Sequence, residues 1–209
     1  MTRRQAQRPG GRNRAVRAAS ALLALGLAVG LAACSNDPLA DEYREGDNKG
    51  YIAGEFAVVE IPEAERTEPV DFEGVLDTGG TTTSDEYRGD VLVVNFWYAA
   101  CAPCRVEAPI LEEVHEEYSA DGVNFLGVNL YDGADAAQAF AETYGVTYPS
   151  VLTTEDGSIK LAFAGQTPLS AVPVTLVLDR EGRVAARIIG QVDEASILST
   201  LVRDAVAES

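Results

Sequence analysis

The sequence predicts an α/β domain with a central mixed β-sheet flanked by helices. Three observations carry this expectation. Val91–Trp97 is a nearly unbroken, β-branched apolar run of the kind that forms a strand covered on both faces. A helical stripe begins directly after it, near Ala102. Downstream, the order continues through a strand, a helix, two strands joined by a tight turn and a closing helix, which completes β-α-β-α-β-β-α.

Taken in order, Ile52–Ile61 and Val70–Leu76 read as short extra strands ahead of the main fold, with turn chemistry at Asp77–Gly80. The helix after Val91–Trp97 places Val106, Ile110, Val114 and Leu111, Tyr118 at spacings of four and seven, so these residues are predicted to face the sheet. Glu112, Glu113, Glu116 and Glu117 are predicted to face water, and Pro109 to kink the helix. Val123–Leu130 is a second buried strand. Ala134–Tyr144 is a second helix, ended by Gly145. Val174–Leu178 and Val184–Ile189 are strands joined by the turn Asp179–Gly182, and Ala195–Val206 closes the domain as a helix.

At 209 residues, 46% of them hydrophobic, the chain accommodates one well-cored domain with appendages. Charge is unevenly placed. Arg3, Arg4, Arg8, Arg12, Arg14 and Arg17 fall in a stretch, residues 1–33, without a single Asp or Glu. The other ten basic residues stand against all 33 acidic ones, a formal charge of −23 beyond residue 33. Such a surface argues against nucleic acid as a partner, since binding it requires cations on the phosphates.

The arginine-rich start, the apolar run Ala18–Ala33 and the closing Leu31-Ala32-Ala33-Cys34 have the order of a bacterial export signal. The run is short for a membrane span, which needs about 20 apolar residues. Its end resembles a lipobox, which makes residues 1–33 a lipoprotein signal peptide and Cys34 the lipid-bearing first residue of the mature protein. Lipidation of Cys34 also leaves an even number of cysteines in an exported chain. Residues 34–50, rich in Asp, Glu, Asn and Gly, read as a flexible acidic tether with a reach of roughly 20–25 Å. The domain is expected to span residues 51–209.

Chemistry concentrates at Cys101-Ala102-Pro103-Cys104, which follows a buried strand and opens a helix. Unpaired N–H groups and the positive end of the helix dipole favour a thiolate there. An exposed Cys101 would attack a disulfide, and Cys104, one turn deeper, would resolve the mixed disulfide. Pro103 fits a first turn, where its missing N–H costs nothing. A structural zinc site would need four ligands, and two cysteines plus the single His115 do not supply them. No metal or cofactor is expected.

The segment Asn95-Phe96-Trp97-Tyr98-Ala99-Ala100-Cys101-Ala102-Pro103-Cys104-Arg105-Val106-Glu107-Ala108-Pro109 resembles the active-site stretch of TlpA/ResA-type thioredoxin-like proteins. The likeness extends over Tyr87–Asp90, Tyr144–Pro149, Val172–Thr175 and Asp179–Arg183. It implies a thioredoxin-like fold with N-terminal extra strands and a central insertion at Tyr131–Pro149, and an extracytoplasmic thiol-disulfide oxidoreductase. In that family the substrate is often the haem-binding cysteine pair of an apocytochrome c, and electrons come from a membrane thiol reductant.

The resemblance also implies that Glu107 lies beside the cysteines and exchanges protons with the resolving thiol. It further implies that Pro173 follows a cis bond beside them, with Val172 offering its backbone to an extended substrate. Two departures stand out: Ala100 where the family commonly has Trp, and Asn95 where thioredoxin has a buried Asp. Trp97 and Tyr98 are assigned to packing and rim, and His115 to the flank of its helix.

The direction of electron flow stays open, because one dithiol serves reduction, oxidation or isomerisation according to its potential. A peroxidase would need Thr where Tyr98 stands. A copper-binding module would need a His in the last part of the chain, and none follows His115.

Overall fold

The computed structural model of the protein describes residues 57–208. The expected signal peptide, the expected tether, Cys34 and the start of the first expected strand lie outside the described residues. The elements are β1 (Ala57–Glu60), β2 (Glu73–Val75), β3 (Thr81–Thr83), β4 (Val91–Trp97), α1 (Ala102–Tyr118), β5 (Val123–Asn129), α2 (Ala134–Tyr144), β6 (Ser150–Leu152), α3 (Ser158–Phe163), β7 (Val174–Leu178), β8 (Val184–Ile189) and α4 (Ala195–Ala207).

Six strands form one sheet in the order β1-β8-β7-β4-β5-β6, while β2 and β3 make a separate hairpin. β4, β5 and β6 run parallel and β7, β8 and β1 antiparallel to their neighbours, so the sheet is mixed as expected. Register then sets which ends meet. Phe96 pairs with Val174 and Val174 with Ile189, which brings the carboxyl end of β4, the start of β7 and the end of β8 to one rim.

The two-residue period of β4 divides the core. Leu92, Val94 and Phe96 pack with Val128, Leu176, Ile159 and Phe163 on one face. Val91 and Val93 pack with Leu111 and Val114 of α1 and Leu198, Leu201 and Val202 of α4 on the other. Asn95 and Trp97 continue the second row, so the period directs a polar side chain towards the underside of α1. At the other end of β7, the buried Arg66 guanidinium bridges Asp179 at 2.9 Å and Glu208, tying the segment after β1 to the end of the chain.

The structure corrects several local expectations. The buried face of α1 runs through Cys104, Glu107, Ala108, Leu111, Glu112 and Val114, whereas Val106 is 55% exposed. The expected stripe is therefore rotated. Glu112 turns inward because Thr147 satisfies its carboxylate twice, through the backbone N–H at 2.9 Å and the hydroxyl at 2.5 Å. Glu113, Glu116 and Glu117 face solvent. The helix runs on through Pro109, which sits on its exposed side.

The strand expected at Val70–Leu76 shortens to β2, and β3, β6 and α3 carry too little periodic signal to be read from sequence. Gly145 ends α2 with φ 75°, the left-handed cap a glycine supplies.

Gly127 of β5 illustrates how closely strands approach beneath the rim. A Cβ there would meet Trp97 Nε1 at 2.8 Å and the Ser150 hydroxyl, the two partners of a buried hydrogen bond. Gly127→Ala is expected to cost about 1–3 kcal/mol in denaturant unfolding. Gly165→Ala, at an exposed position where a Cβ meets nothing within 4 Å, is expected to change stability by less than about 0.5 kcal/mol.

Candidate active site at the dithiol

β4 ends at Trp97 and α1 starts at Ala102 after four intervening residues, so the site is a strand-to-helix junction. Cys101 is the N-cap of α1, and its sulfur accepts the Cys104 N–H at 3.2 Å. The turn is held from both sides. Cys101 N–H donates to Tyr98 O at 3.1 Å, and Arg105 Nε donates to Ala99 O at 2.8 Å.

Ala99 N–H reaches Asp132 Oδ2 at 2.6 Å. Asp132 is itself held by Asn129, whose amide donates to Oδ2 at 2.9 Å and whose carbonyl oxygen accepts the Asp132 N–H at 2.7 Å. Neither Asp132 nor Asn129 stood out in the sequence. Their only signal is their place at the end of the second buried strand, Asn129 as the last residue of β5 and Asp132 just beyond it.

Cys101 and Cys104 are joined as a disulfide with Cα atoms 5.3 Å apart. Cys101 is only 2% exposed, against the expectation of an exposed sulfur. Trp97, Ala108, Phe140 and the flanks of Tyr98 and Val172 surround the pair. Ala100 is exposed, and the aromatic neighbour at this rim is instead Tyr98, set edge-to-face on Tyr131 with centroids 5.2 Å apart.

Glu107 is fully buried. Its Oε1 accepts the Asn95 side-chain amide at 2.9 Å and its Oε2 accepts the Val192 N–H at 2.9 Å. Asn95 is anchored in turn on Thr175 Oγ1 at 3.1 Å, its register partner across the β4–β7 ladder. Burial pushes the Glu107 carboxyl up to about 7, with a further upward push from Asp193, while the two hydrogen bonds favour the ionised form and limit the rise. Asn95 also lines the small cavity that touches Cys104, Trp97, Tyr148 and Ser150, so one amide neighbours both the carboxylate and the inner cysteine.

An amide suits that position. Its NH2 donates to a carboxylate, and after a flip its oxygen accepts from a carboxylic acid, so Glu107 keeps a partner in either state. Val192 was not identifiable in the sequence, because a backbone donor leaves no side-chain signature.

The Val172–Pro173 bond is cis, the conformation the resemblance implied. Pro173 lines an open groove of about 360 Å³ with Pro103, Val172, Ile189, Gly190 and Gln191. The structure thus brings Cys101, Cys104, Glu107 and Pro173 to one rim of the sheet. His115 is half-buried against Phe125 and Tyr148. Among the described residues, no group of three or more His, Cys, Asp or Glu side chains is placed to hold a metal ion.

The raised Glu107 carboxyl makes stability depend on pH. Between about 4.5 and about 7 the folded protein holds a proton that the unfolded chain has lost. The stabilisation is therefore complete below about 4.5 and is lost as pH rises through about 7. In the disulfide form, the stability of wild type relative to Glu107→Gln is expected to fall across this window by on the order of 3 kcal/mol, measured by urea unfolding.

The Redoxin family model matches residues 59–202. The ResA thiol-disulfide oxidoreductase of Geobacillus kaustophilus is 33% identical over 112 residues, 54% of this chain and 62% of the relative. The chain thus spans less than two thirds of that relative's length. The thiol:disulfide interchange protein HelX of Rhodobacter capsulatus is 34% identical over 131 residues, 63% of this chain and 67% of the relative.

Among solved structures, a secreted thiol-disulfide isomerase from Corynebacterium glutamicum superposes with a TM-score of 0.64 at 29% identity, covering 78% of this chain and 95% of that one. A DsbF homologue from Corynebacterium diphtheriae gives 0.61 at 29%, covering 76% and 95%. The matched span runs from β1 into α4 and contains the whole dithiol rim: the chain belongs to the Redoxin family and, within it, to the thioredoxin-like group that ResA and HelX represent.

Proposed function

We propose that the protein is an extracytoplasmic thiol-disulfide oxidoreductase that reduces disulfides of exported proteins, with apocytochrome c as the type of substrate. The observation that carries this reading is the Cys101–Cys104 pair at a helix start, above a buried carboxyl and beside the Pro173 groove.

In the reduced protein the Cys101 thiolate attacks one sulfur of a substrate disulfide and forms a mixed disulfide, and the other substrate sulfur leaves as thiolate. Ionised Glu107 takes the proton of Cys104. The Cys104 thiolate then attacks Cys101 Sγ, closing the Cys101–Cys104 disulfide and releasing the second substrate thiolate. Two electrons pass to the substrate, whose thiolates take up protons from water. A membrane thiol reductant returns two electrons to the pair. A carboxyl near 7 accepts and returns a proton at neutral pH with little driving force wasted either way.

Residues 1–33 serve as a lipoprotein signal peptide and Cys34 carries the lipid that holds the domain on the outer face of the cytoplasmic membrane. The acidic segment 34–50 is the tether. The order of basic, apolar and small residues before Cys34 supports this placement. Lipid labelling in cells should mark wild type and be lost in Cys34→Ser. Unchanged labelling of that variant would refute the anchor.

The function is tested by trapping. Cys104→Ser is expected to accumulate a mixed disulfide with an exported cysteine-pair protein, and Cys101→Ser to accumulate none. Resolution in wild type should quicken with pH through about 7, where Glu107 ionises, and Glu107→Gln should slow it on the order of 100-fold and flatten that limb. A reduction potential near −120 mV, at the oxidising end of such proteins, would contradict the reductase direction.

A further inference from the structure

The Pro173 groove and the Glu107 carboxylate share a wall. Gly190 and Gln191, which follow β8, line the groove, and Gly190 N–H donates to Pro173 O at 2.9 Å. The next residue, Val192, is buried and directs its N–H away from the groove to Glu107 Oε2. Gln191 is the polar side chain in a groove otherwise walled by Pro103, Ala171, Val172, Pro173 and Ile189. Its amide donates to Asp193 Oδ1 at 2.7 Å, reaching past Val192 to the residue on the other side. A segment seated in the groove therefore meets Gln191 one peptide away from the donor that holds Glu107.

We propose that the Gly190–Asp193 loop couples occupancy of the groove by an extended, disulfide-bearing polypeptide to the proton on Glu107, with Gln191 as the positioning residue. The inference rests on the exchange reaction proposed above and assigns its regulation. When a docked backbone engages the Gln191 amide, the exposed Asp193 side chain loses the donor that restrains it and swings away from the site. The negative charge that favours protonated Glu107 is withdrawn, and Glu107 ionises more readily. The proton acceptor is thereby readied when the mixed disulfide forms, the moment at which Cys104 must lose its proton. Coverage of the groove by bulk alone has the opposite effect, since desolvation holds a carboxyl neutral.

The charged or titratable groups that act on Glu107 are Asp193 from the loop and Tyr148 from the segment before β6, while Glu112, on the same buried face of α1, is held by Thr147 and neighbours Tyr148. Burial pushes the Tyr148 phenol upward, away from neutral pH. His115 packs on Tyr148 and is the control.

The test uses the Cys104→Ser protein, with Cys101 joined to one of two adducts. An end-blocked peptide without titratable side chains, activated as its thiopyridyl disulfide, gives a peptide–Cys101 disulfide and releases thiopyridone. A methyl disulfide at Cys101 is the reference. Carbon-13 NMR of the Glu107 carboxyl reads its midpoint in each.

The peptide adduct is expected to show at least about fivefold weaker proton affinity at Glu107 than the methyl adduct. Gln191→Ala and Asp193→Asn should each erase the difference, while His115→Phe should retain it. Equal midpoints in the two adducts, or a higher one with peptide, would overturn the coupling while leaving the exchange reaction standing. Failure of Cys101 to form either adduct would instead refute the exchange reading on which the coupling rests.

Discussion

The site depends on one arrangement: a carboxylate buried beneath a disulfide and held by two donors from different parts of the fold. Asn95 reaches Glu107 from the central strand β4, and the Val192 N–H reaches it from the loop after β8. Neither donor can be placed without the sheet, because β4 and β8 meet only through β7 between them. Burying an ionisable group costs free energy, and a carboxyl that keeps its proton at neutral pH is how that cost is reduced. The same compromise makes it useful beside a thiol.

The other parts of the rim can be derived from that geometry. Antiparallel pairing of β7 with β4 places Pro173 next to the turn that carries the cysteines, and β8 then supplies the far side of the groove. The turn needs its own support, because it projects beyond the last ladder hydrogen bond. Asp132 and Arg105 provide it from opposite directions. On the other rim of the sheet, Arg66 closes the domain against Asp179 and Glu208, with no group shared between the two rims.

Much of this arrangement is legible in the amino-acid sequence. A nearly unbroken apolar run marked β4, because a strand covered on both faces admits little else, and shorter apolar stretches bounded by turn signals marked β5, β7 and β8. The cysteine spacing and its position after a strand pointed to the dithiol. Glu107 and Pro173 entered through family resemblance.

What sequence could not supply was of two kinds. Glu112 was read outward because charge normally faces water, and only its tertiary pairing with Thr147 reverses that. By shifting the apparent stripe, Val106 was placed inside when the true buried row begins at Cys104. Backbone donors such as Val192 N–H, and short elements such as β3, β6 and α3, have no pattern long enough to read.

The chemistry of the site depends most directly on the proton affinity of one side chain. Carbon-13 NMR titration of the Glu107 carboxyl in the wild-type disulfide form measures it without reference to any substrate. The structure predicts a midpoint about 7, set by burial against two hydrogen bonds. A midpoint near 4.5, that of a solvated glutamate, would contradict it.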